Sequence, residues 1–215
     1  MRWIPQIIVL IFSIVFHEYA HGRAALWRGD TTAKEHGRLT LNPLPHIDPF
    51  GSILLPLFLI VTHAPVLFAW AKPVPINPWR FKNAKKDFAI VGASGPASNL
   101  LLAIVAAVVF RLSFGISGES NALHQFLVLA VLINLVLACF NLVPIPPLDG
   151  SRIVVGFLPD EWAQNYLKIE RYGMLIIFGL LFLGFFRWLI WPIVMTLLYF
   201  LVGREGVYLL LNFLQ

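Results

Sequence analysis

The chain has 215 residues, of which 59% are hydrophobic and only 13% are charged. Soluble domains carry about a quarter charged residues, so this composition excludes an ordinary soluble protein and indicates a membrane protein. The net charge of +5 does not indicate nucleic-acid binding, because the basic residues lie in short loops between apolar runs, where membrane topology explains them.

The apolar runs predict an all-α polytopic membrane protein with about five to six membrane-inserted segments. A spanning helix needs about 20 mostly apolar residues. The runs that approach this length are residues 3–27, 50–71, 88–110, 123–143, 174–186 and 188–202, the last two separated by Arg187. No polar stretch is long enough for a separate soluble domain. We therefore expect one membrane-embedded domain over residues 1–215, with a core at about 4–157 and C-terminal helices at about 172–213.

The stretch between the first two runs differs from the rest of the chain. Residues 38–41 alternate polar and apolar side chains, which predicts a short strand or hairpin. Three prolines follow within residues 43–49, and they exclude regular helix there.

The distribution of positive charge predicts that residues 50–71 enter the membrane and return to the same face. With a turn near residues 62–65, 13 of the 16 lysines and arginines lie on the cytoplasmic side, and only Arg2, Arg111 and Arg187 lie opposite. A full crossing would move the five basic residues between positions 72 and 86 to the outside and remove most of this bias. We therefore expect a re-entrant segment that packs against other helices, because irregular backbone at membrane depth must be covered.

The strongest chemical signal is the sequence HEYAH at residues 17–21, which lies inside the first apolar run. Positions four apart share a helix face, so His17 and His21 can bind one metal ion together. Glu18 lies beside that face and can act as a general base. The alternative is that these side chains only hydrogen-bond to neighbouring helices, but ionisable groups within a membrane are costly and usually functional.

A zinc site requires a third protein ligand and keeps a fourth position open. Asp149 is the favoured ligand, because three prolines break the helix after Asn141, and Gly150 permits a sharp turn that could aim the carboxylate at the metal. The alternative is a loop aspartate that hydrogen-bonds to its own turn. His46 and Asp48, on the proline-rich loop after the first helix, are the reserve candidates.

Together the two motifs resemble the site-2 protease family of intramembrane zinc metalloproteases, in a small form without a PDZ-like insertion. That family carries a His-Glu-x-x-His sequence on one helix and an Asn-Pro-Asp-Gly type motif on a later one. The first is matched by HEYAH, and the second is matched by Asn141, Pro144, Leu148, Asp149 and Gly150. Residues 92–99 (GASGPASN) look like the start of the family's intervening helix, so the resemblance covers about residues 11–155.

The resemblance implies a protease that hydrolyses peptide bonds of membrane-spanning helices, as in regulated intramembrane proteolysis. His17, His21 and Asp149 would bind one Zn²⁺ per chain, and Glu18 would be the catalytic base. Asn141 would either hydrogen-bond the substrate or steady the segment that carries the aspartate.

The partners implied are a transmembrane protein or peptide substrate and the lipid bilayer of the cell membrane, with the active site toward the cytoplasm. The strand predicted at residues 38–41 could pair with an unwound substrate by adding a strand. The sequence makes no prediction of oligomeric state.

Two other functions remain open on the sequence. An ion-conducting protein or transporter would explain ionisable residues within the membrane, but not a base placed beside two ligands four residues apart. A metal-binding membrane scaffold without proteolytic activity would bind zinc without needing Glu18. Asn99 and Asn134 are expected to make hydrogen bonds between helices.

Overall fold

Helices make up most of the structure, a computed structural model that describes residues 3–62, 70–117 and 119–214. The α-helices are α1 (Trp3–Trp27), α2 (Thr32–Glu35), α3 (Leu55–Val61), α4 (Ala84–Ser117), α5 (Ala122–Asn141), α6 (Asp149–Val155), α7 (Asp160–Leu167), α8 (Glu170–Phe182) and α9 (Trp191–Leu214). Leu44–His46 and Pro78–Arg80 form 3₁₀ turns, and Pro49–Leu54 and Phe186–Ile190 form wider π-helical turns. No strand occurs in these described ranges, and the predicted all-α class is confirmed.

Within the described part of the chain, four helical stretches are long and apolar enough to cross a membrane: Ile4–Trp27, Ala84–Ile116, Ala122–Asn141 and Phe186–Phe213. A shorter apolar stretch covers Pro49–Leu59. Large apolar side chains such as Phe12, Leu101 and Phe200 point outward and are exposed, as a lipid-facing surface requires. The chain is therefore a multi-pass membrane protein.

The core lies where α4, α5 and α9 meet. Helix α4 packs against both α1 and α5, and α9 packs against α5. Ala103 and Ala107 of α4 are buried beside Val128 of α5 and Leu198 of α9. Such small residues let helix backbones approach closely, which favours association in a membrane, where apolar contact alone gives little advantage over lipid.

Buried carboxylates fix the chain that leaves α1. Asp30 is fully buried, and its two carboxylate oxygens accept hydrogen bonds from the backbone N–H groups of Thr32 (3.0 Å) and Asn77 (2.7 Å). Arg28, at the end of α1, pairs with buried Asp87 in the first turn of α4. These contacts hold the extended chain before α4 against the end of α1.

The two ends of the predicted re-entrant segment lie side by side. The backbone N–H of Trp70 donates to the Gly51 carbonyl (3.2 Å), and the Ser52 hydroxyl donates to the Trp70 carbonyl (2.8 Å). The chain therefore enters and leaves this segment at neighbouring positions, as a re-entrant segment requires. The turn predicted near residues 62–65 falls, apart from Thr62, outside the described residues.

The strand predicted at residues 38–41 is absent, and this prediction was wrong. The segment is an irregular loop whose first backbone N–H, that of Arg38, donates to the Ala33 carbonyl (2.9 Å). The extended chain beside it contains Pro73 and Pro75, which have no N–H to contribute to a ladder. Instead, the Arg38 guanidinium donates to the carbonyls of Lys72 (2.7 Å) and Pro73 (3.3 Å).

The C-terminal third also differs from the prediction of two segments separated by Arg187. Helix α8 has only 13 residues, which give a length of about 20 Å, too short to span a membrane core of about 30 Å. The chain turns at Gly184, whose φ of +82° suits glycine. Arg187 then lies near the start of one continuous apolar stretch, Phe186–Phe213.

Arg204 also lies elsewhere than predicted. The charge distribution predicts Arg204 on the side of the membrane opposite Arg111, but the Arg111 guanidinium donates to the carbonyls of Phe200 (2.7 Å) and Leu201 (2.6 Å). Those carbonyls lie just before Gly203, where α9 is interrupted (φ +71°), so the arginine satisfies groups freed by the break. Arg204 therefore lies at the same end of the bundle as Arg111, and Arg187 lies toward the other.

Candidate metal centre

Two imidazole rings converge on one face of α1. His17 and His21 are one helical turn apart, and both are buried. Their Nε2 atoms are 3.0 Å apart, and the rings meet edge to face with centroids 4.6 Å apart. Both Nε2 atoms thus face a common point.

Asp149 brings a carboxylate to the same point from a distant part of the chain. Its Oδ2 lies 3.0 Å from His17 Nε2 and 3.1 Å from His21 Nε2. The three candidate ligand atoms lie within 4.8 Å of one another, and all three residues are buried. The structure therefore brings together the two histidines and the aspartate that the sequence singled out.

A proline-rich turn after α5 positions this aspartate beside the two histidines. The chain folds back after Asn141 and starts α6 at Asp149. A side chain at Gly150 would collide with the carbonyl groups of Leu142 and Val143, so only glycine allows the turn to close this tightly. In the Asp-Gly pair, the aspartate is the candidate ligand, and the glycine allows the tight turn that brings this aspartate to the histidines.

The hydrogen-bond partner of Nδ1 identifies the tautomer of each imidazole ring. Asn99 Nδ2 faces the Ser13 carbonyl (3.3 Å) and Asn134 Oδ1 (2.9 Å), which leaves Asn99 Oδ1 to accept from His17 Nδ1 (2.6 Å). His21 Nδ1 lies 2.7 Å from the Val91 carbonyl, which can only accept. In each neutral ring the Nδ1 atom therefore carries the proton, and the Nε2 atom has a free lone pair that can bind a metal ion.

This donor set fits a zinc ion. Two proton-free Nε2 atoms and one carboxylate oxygen repel one another unless a cation lies between them. Their separations of 3.0 to 3.1 Å are close to the roughly 3.3 Å between tetrahedral ligands at ordinary zinc distances. Two histidines and one carboxylate, with a position left open, are a ligand set of catalytic zinc sites.

Asp149 also has a positively charged neighbour. Its second oxygen, Oδ1, lies 3.4 Å from the Arg152 guanidinium. The guanidinium favours the ionised form of the Asp149 carboxyl group. The group is thus ionised at neutral pH, which is the form that binds metal.

Glycines of α4 provide the room for this cluster. A Cβ at Gly95 would overlap the rings of His17 and His21, and a Cβ at Gly92 would meet Arg152 and the Asp149 carbonyl. Gly92 and Gly95 therefore allow α4 to lie close to the candidate metal ligands.

Glu18 lies next to His17 and is half-buried. Its Oε2 accepts a hydrogen bond from the backbone N–H of Val74 (2.7 Å). No sequence signal indicated this contact, because its donor is a backbone group 56 residues away.

The other candidates have separate roles. His46 is buried, and its Nε2 contacts the Thr40 carbonyl (3.0 Å), while Asp48 caps the backbone N–H groups of Phe50 and Gly51. Neither belongs to the metal-ligand cluster. The Asn141 side chain donates to the Leu137 carbonyl of its own helix (2.9 Å). Asn99 makes the predicted hydrogen bond between helices, to Asn134, and it also accepts one from His17, which no sequence pattern indicated.

Comparisons with known proteins agree with this geometry. Residues 115–184 match the model of Peptidase family M50. The chain is 38% identical over 206 residues to "Putative zinc metalloprotease YwhC" of Bacillus subtilis (strain 168), across 94% of this chain and 88% of that protein. It is 31% identical over 176 residues to "Putative zinc metalloprotease Rip2" of Mycolicibacterium smegmatis, across 80% and 64%. No solved structure matches the chain significantly.

The fold and the cluster define a helical, multi-pass membrane protein with a candidate zinc centre. The chain belongs to the site-2 protease family, peptidase family M50, and it is a zinc metalloprotease. The resemblance drawn from its two motifs is thereby confirmed.

Proposed function

We propose that this metalloprotease cleaves peptide bonds within the membrane-spanning helices of its substrates, as in regulated intramembrane proteolysis. The observation that carries the proposal is the convergence of the three candidate ligand atoms against α1, a helix long and apolar enough to cross a membrane. His21 and His17 lie 6 and 10 residues before the end of α1 at Trp27, which corresponds to about 9 and 15 Å along a helix. A peptide bond that reaches this centre must come to membrane depth.

In this proposal His17, His21 and Asp149 hold one Zn²⁺. The bound ion would polarise the scissile carbonyl and lower the pKa of water at the open position to about 7. Glu18 takes a proton from the attacking water and passes it to the departing amine. Asn99 keeps the His17 ring turned toward the cluster. Asn141 steadies the end of α5 just before the segment that carries the aspartate.

The substrate must also unwind at the cleavage site. Hydrogen bonds within a helix occupy its peptide groups, and lipid offers no replacement for them. A substrate segment that already contains helix-breaking residues therefore needs less energy to reach the centre than a regular helix does. We expect such segments to be cleaved preferentially.

The positive-inside rule supports an orientation with the centre toward the cytoplasmic side of the cell membrane. The Arg111 contacts support exchanging the sides of Arg187 and Arg204, and this exchange leaves 13 of the 16 basic residues on the cytoplasmic side. We further propose that residues 1–215 form one membrane-embedded domain, with the core at about 4–157 and the C-terminal helices at about 172–213 packed on it.

The test compares the wild-type protein with Glu18→Gln after purification in detergent. Zinc content is measured by elemental analysis, and cleavage is measured on a fluorophore-labelled single-span peptide with a Pro-Gly pair at its centre. We expect both proteins to contain zinc, and we expect cleavage by Glu18→Gln to fall by about 100- to 10,000-fold, the usual contribution of general acid–base catalysis.

Each alternative predicts a different outcome. A metal-binding scaffold would contain zinc without cleaving the peptide, and a transporter would show neither stoichiometric zinc nor cleavage. Cleavage at the wild-type rate by Glu18→Gln would remove Glu18 from the mechanism. A soluble version of the peptide, cleaved as fast as the membrane-spanning one, would contradict the intramembrane assignment.

A further inference from the structure

An extended segment before α4, residues 72–77, lies along α1 and is attached at both ends. We name residues 72–77 the strap. The Lys72 N–H donates to the His46 carbonyl (2.9 Å), and the Lys72 carbonyl accepts from Arg38 (2.7 Å). At the other end, the Asn77 N–H donates to buried Asp30 (2.7 Å). The strap is therefore a fixed part of the fold.

The middle of the strap presents one backbone donor. Pro73 and Pro75 have no N–H, so Val74 supplies the only N–H of the Pro-Val-Pro tripeptide. That N–H donates to Glu18 Oε2 (2.7 Å). Because the acceptor is a carboxylate, this bond is stronger than one between neutral groups.

The Val74 side chain anchors this donor. It is buried with 5% of its surface exposed. It packs over Gly22 of α1, where an added Cβ would crowd the side chains of Leu39 and Val74. Gly22 lies one turn after Glu18 on the same helix. The missing side chain at Gly22 thus lets the strap approach closely enough for the Val74 N–H to reach the carboxylate.

We infer that the Val74 amide is a positioning group that holds the Glu18 carboxylate in the orientation needed for proton transfer. The inference rests on the proposed role of Glu18 as the base. A glutamate side chain has several rotamers, and fixing one of them in advance removes an entropic cost from the reaction. Among the described residues no second hydrogen bond to this carboxylate is present, so Oε1 remains available to the reacting water.

The opposite role would be a plug that occupies the centre and must leave before substrate enters. The contacts of Lys72 and Asn77 argue against it, because both would have to break before the strap could move. The two roles predict opposite results. Removing the Val74 donor slows cleavage if the strap positions Glu18, and accelerates cleavage if the strap is a plug.

The contact itself is tested without reference to activity. Amide hydrogen exchange of the peptide that covers the strap is compared in the wild type, Glu18→Gln and Glu18→Ala. Glutamine keeps a carbonyl acceptor, whereas alanine removes it. We expect one additional amide to exchange at least tenfold faster in Glu18→Ala than in Glu18→Gln, because one protected N–H loses its partner. Equal exchange in both variants would overturn the inference.

The function of the contact is tested with Val74→Pro, which removes the N–H, against Val74→Ala, which keeps it. We expect kcat for the labelled single-span peptide to be about 10- to 100-fold lower in Val74→Pro than in Val74→Ala, with KM and zinc content equal in the two variants. Equal kcat values, or a higher value in Val74→Pro, would overturn the inference. Wild-type cleavage by Glu18→Gln would instead show that the proposed base is wrong.

Discussion

At the scale of residues, the hydrogen bond on the far side of each imidazole decides whether its Nε2 can bind metal. For His17 the acceptor of this bond is Asn99 Oδ1, and the orientation of the Asn99 amide is set by Asn134 and the Ser13 carbonyl. Asn134 in turn donates to the Ser13 hydroxyl (2.9 Å). A buried network across α1, α4 and α5 thus keeps one candidate ligand in one tautomer.

We predict that Asn99→Leu lowers zinc affinity about 10- to 100-fold, because His17 loses the acceptor that fixes its tautomer and ring orientation. The measurement is zinc competition with a chelator of known affinity. Ser98→Ala is the control on the same helix, since the Ser98 hydroxyl donates to the Gly95 carbonyl of that helix. Wild-type affinity in Asn99→Leu would show that the network does not support the metal centre.

We predict that Asp149→Asn lowers zinc affinity by more than Asn99→Leu does. The substitution removes a negatively charged ligand, whereas the asparagine at position 99 acts only through His17. The same competition measurement applies. Asp48→Asn is the matched control, because the Asp48 side chain caps a nearby turn. If Asp149→Asn retained wild-type affinity, another group would have to complete the ligand set.

At the scale of elements, the centre depends on how closely α4 approaches α1. Gly95 faces the His17 and His21 rings with no room for a methyl group. Gly115, on the same helix, faces open space. The two positions therefore provide a matched pair for testing the packing.

We predict that Gly95→Ala reduces zinc content and destabilises the protein by about 1–3 kcal/mol, the usual cost of overpacking. Gly115→Ala should be neutral or stabilising by up to about 1 kcal/mol, because alanine favours helix over glycine. Thermal unfolding in detergent and elemental analysis measure both effects. Equal behaviour of the two variants would contradict the close packing of α4 on the histidine pair.

At the scale of the whole molecule, the turns of the chain define two ends. The end of α1, the strap and the proline-rich turn before Asp149 lie near the metal centre. The connection between α4 and α5 lies at the far end of these two helices, and Arg111 lies within the last two turns of α4. The Arg111 contacts with Phe200 and Leu201 bring the break in α9 to that far end as well.

We predict that single cysteines at Lys82 and Ser120 react with a membrane-impermeant thiol reagent from opposite sides of the membrane. A cysteine at Arg204 should react from the same side as one at Ser120, in a background with Cys139 replaced by alanine. All three positions are exposed. Labelling of Arg204→Cys together with Lys82→Cys would contradict the path of α9.

The sequence by itself determined the class of the fold and the chemistry of the site. Long apolar runs can only be helices or barrels in lipid, and the HEYAH spacing places two imidazoles on one helix face. Asp149 could be chosen because few acidic residues lie near apolar stretches and because proline and glycine flank it. These features are local, so residue type and spacing encode them directly.

Only the tertiary structure decided the features that depend on contacts between distant segments. The Asn99 bond to His17 spans 82 residues, and the Val74 bond to Glu18 spans 56. The alternating pattern at residues 38–41 predicted a strand. The neighbouring chain is rich in proline, so it lacks the N–H groups needed for the hydrogen-bond ladder of a sheet. The path of α8 and α9 likewise depended on Gly184 and on the Arg111 contacts. Helix packing and backbone donors fix these details, and neither has a local sequence signature.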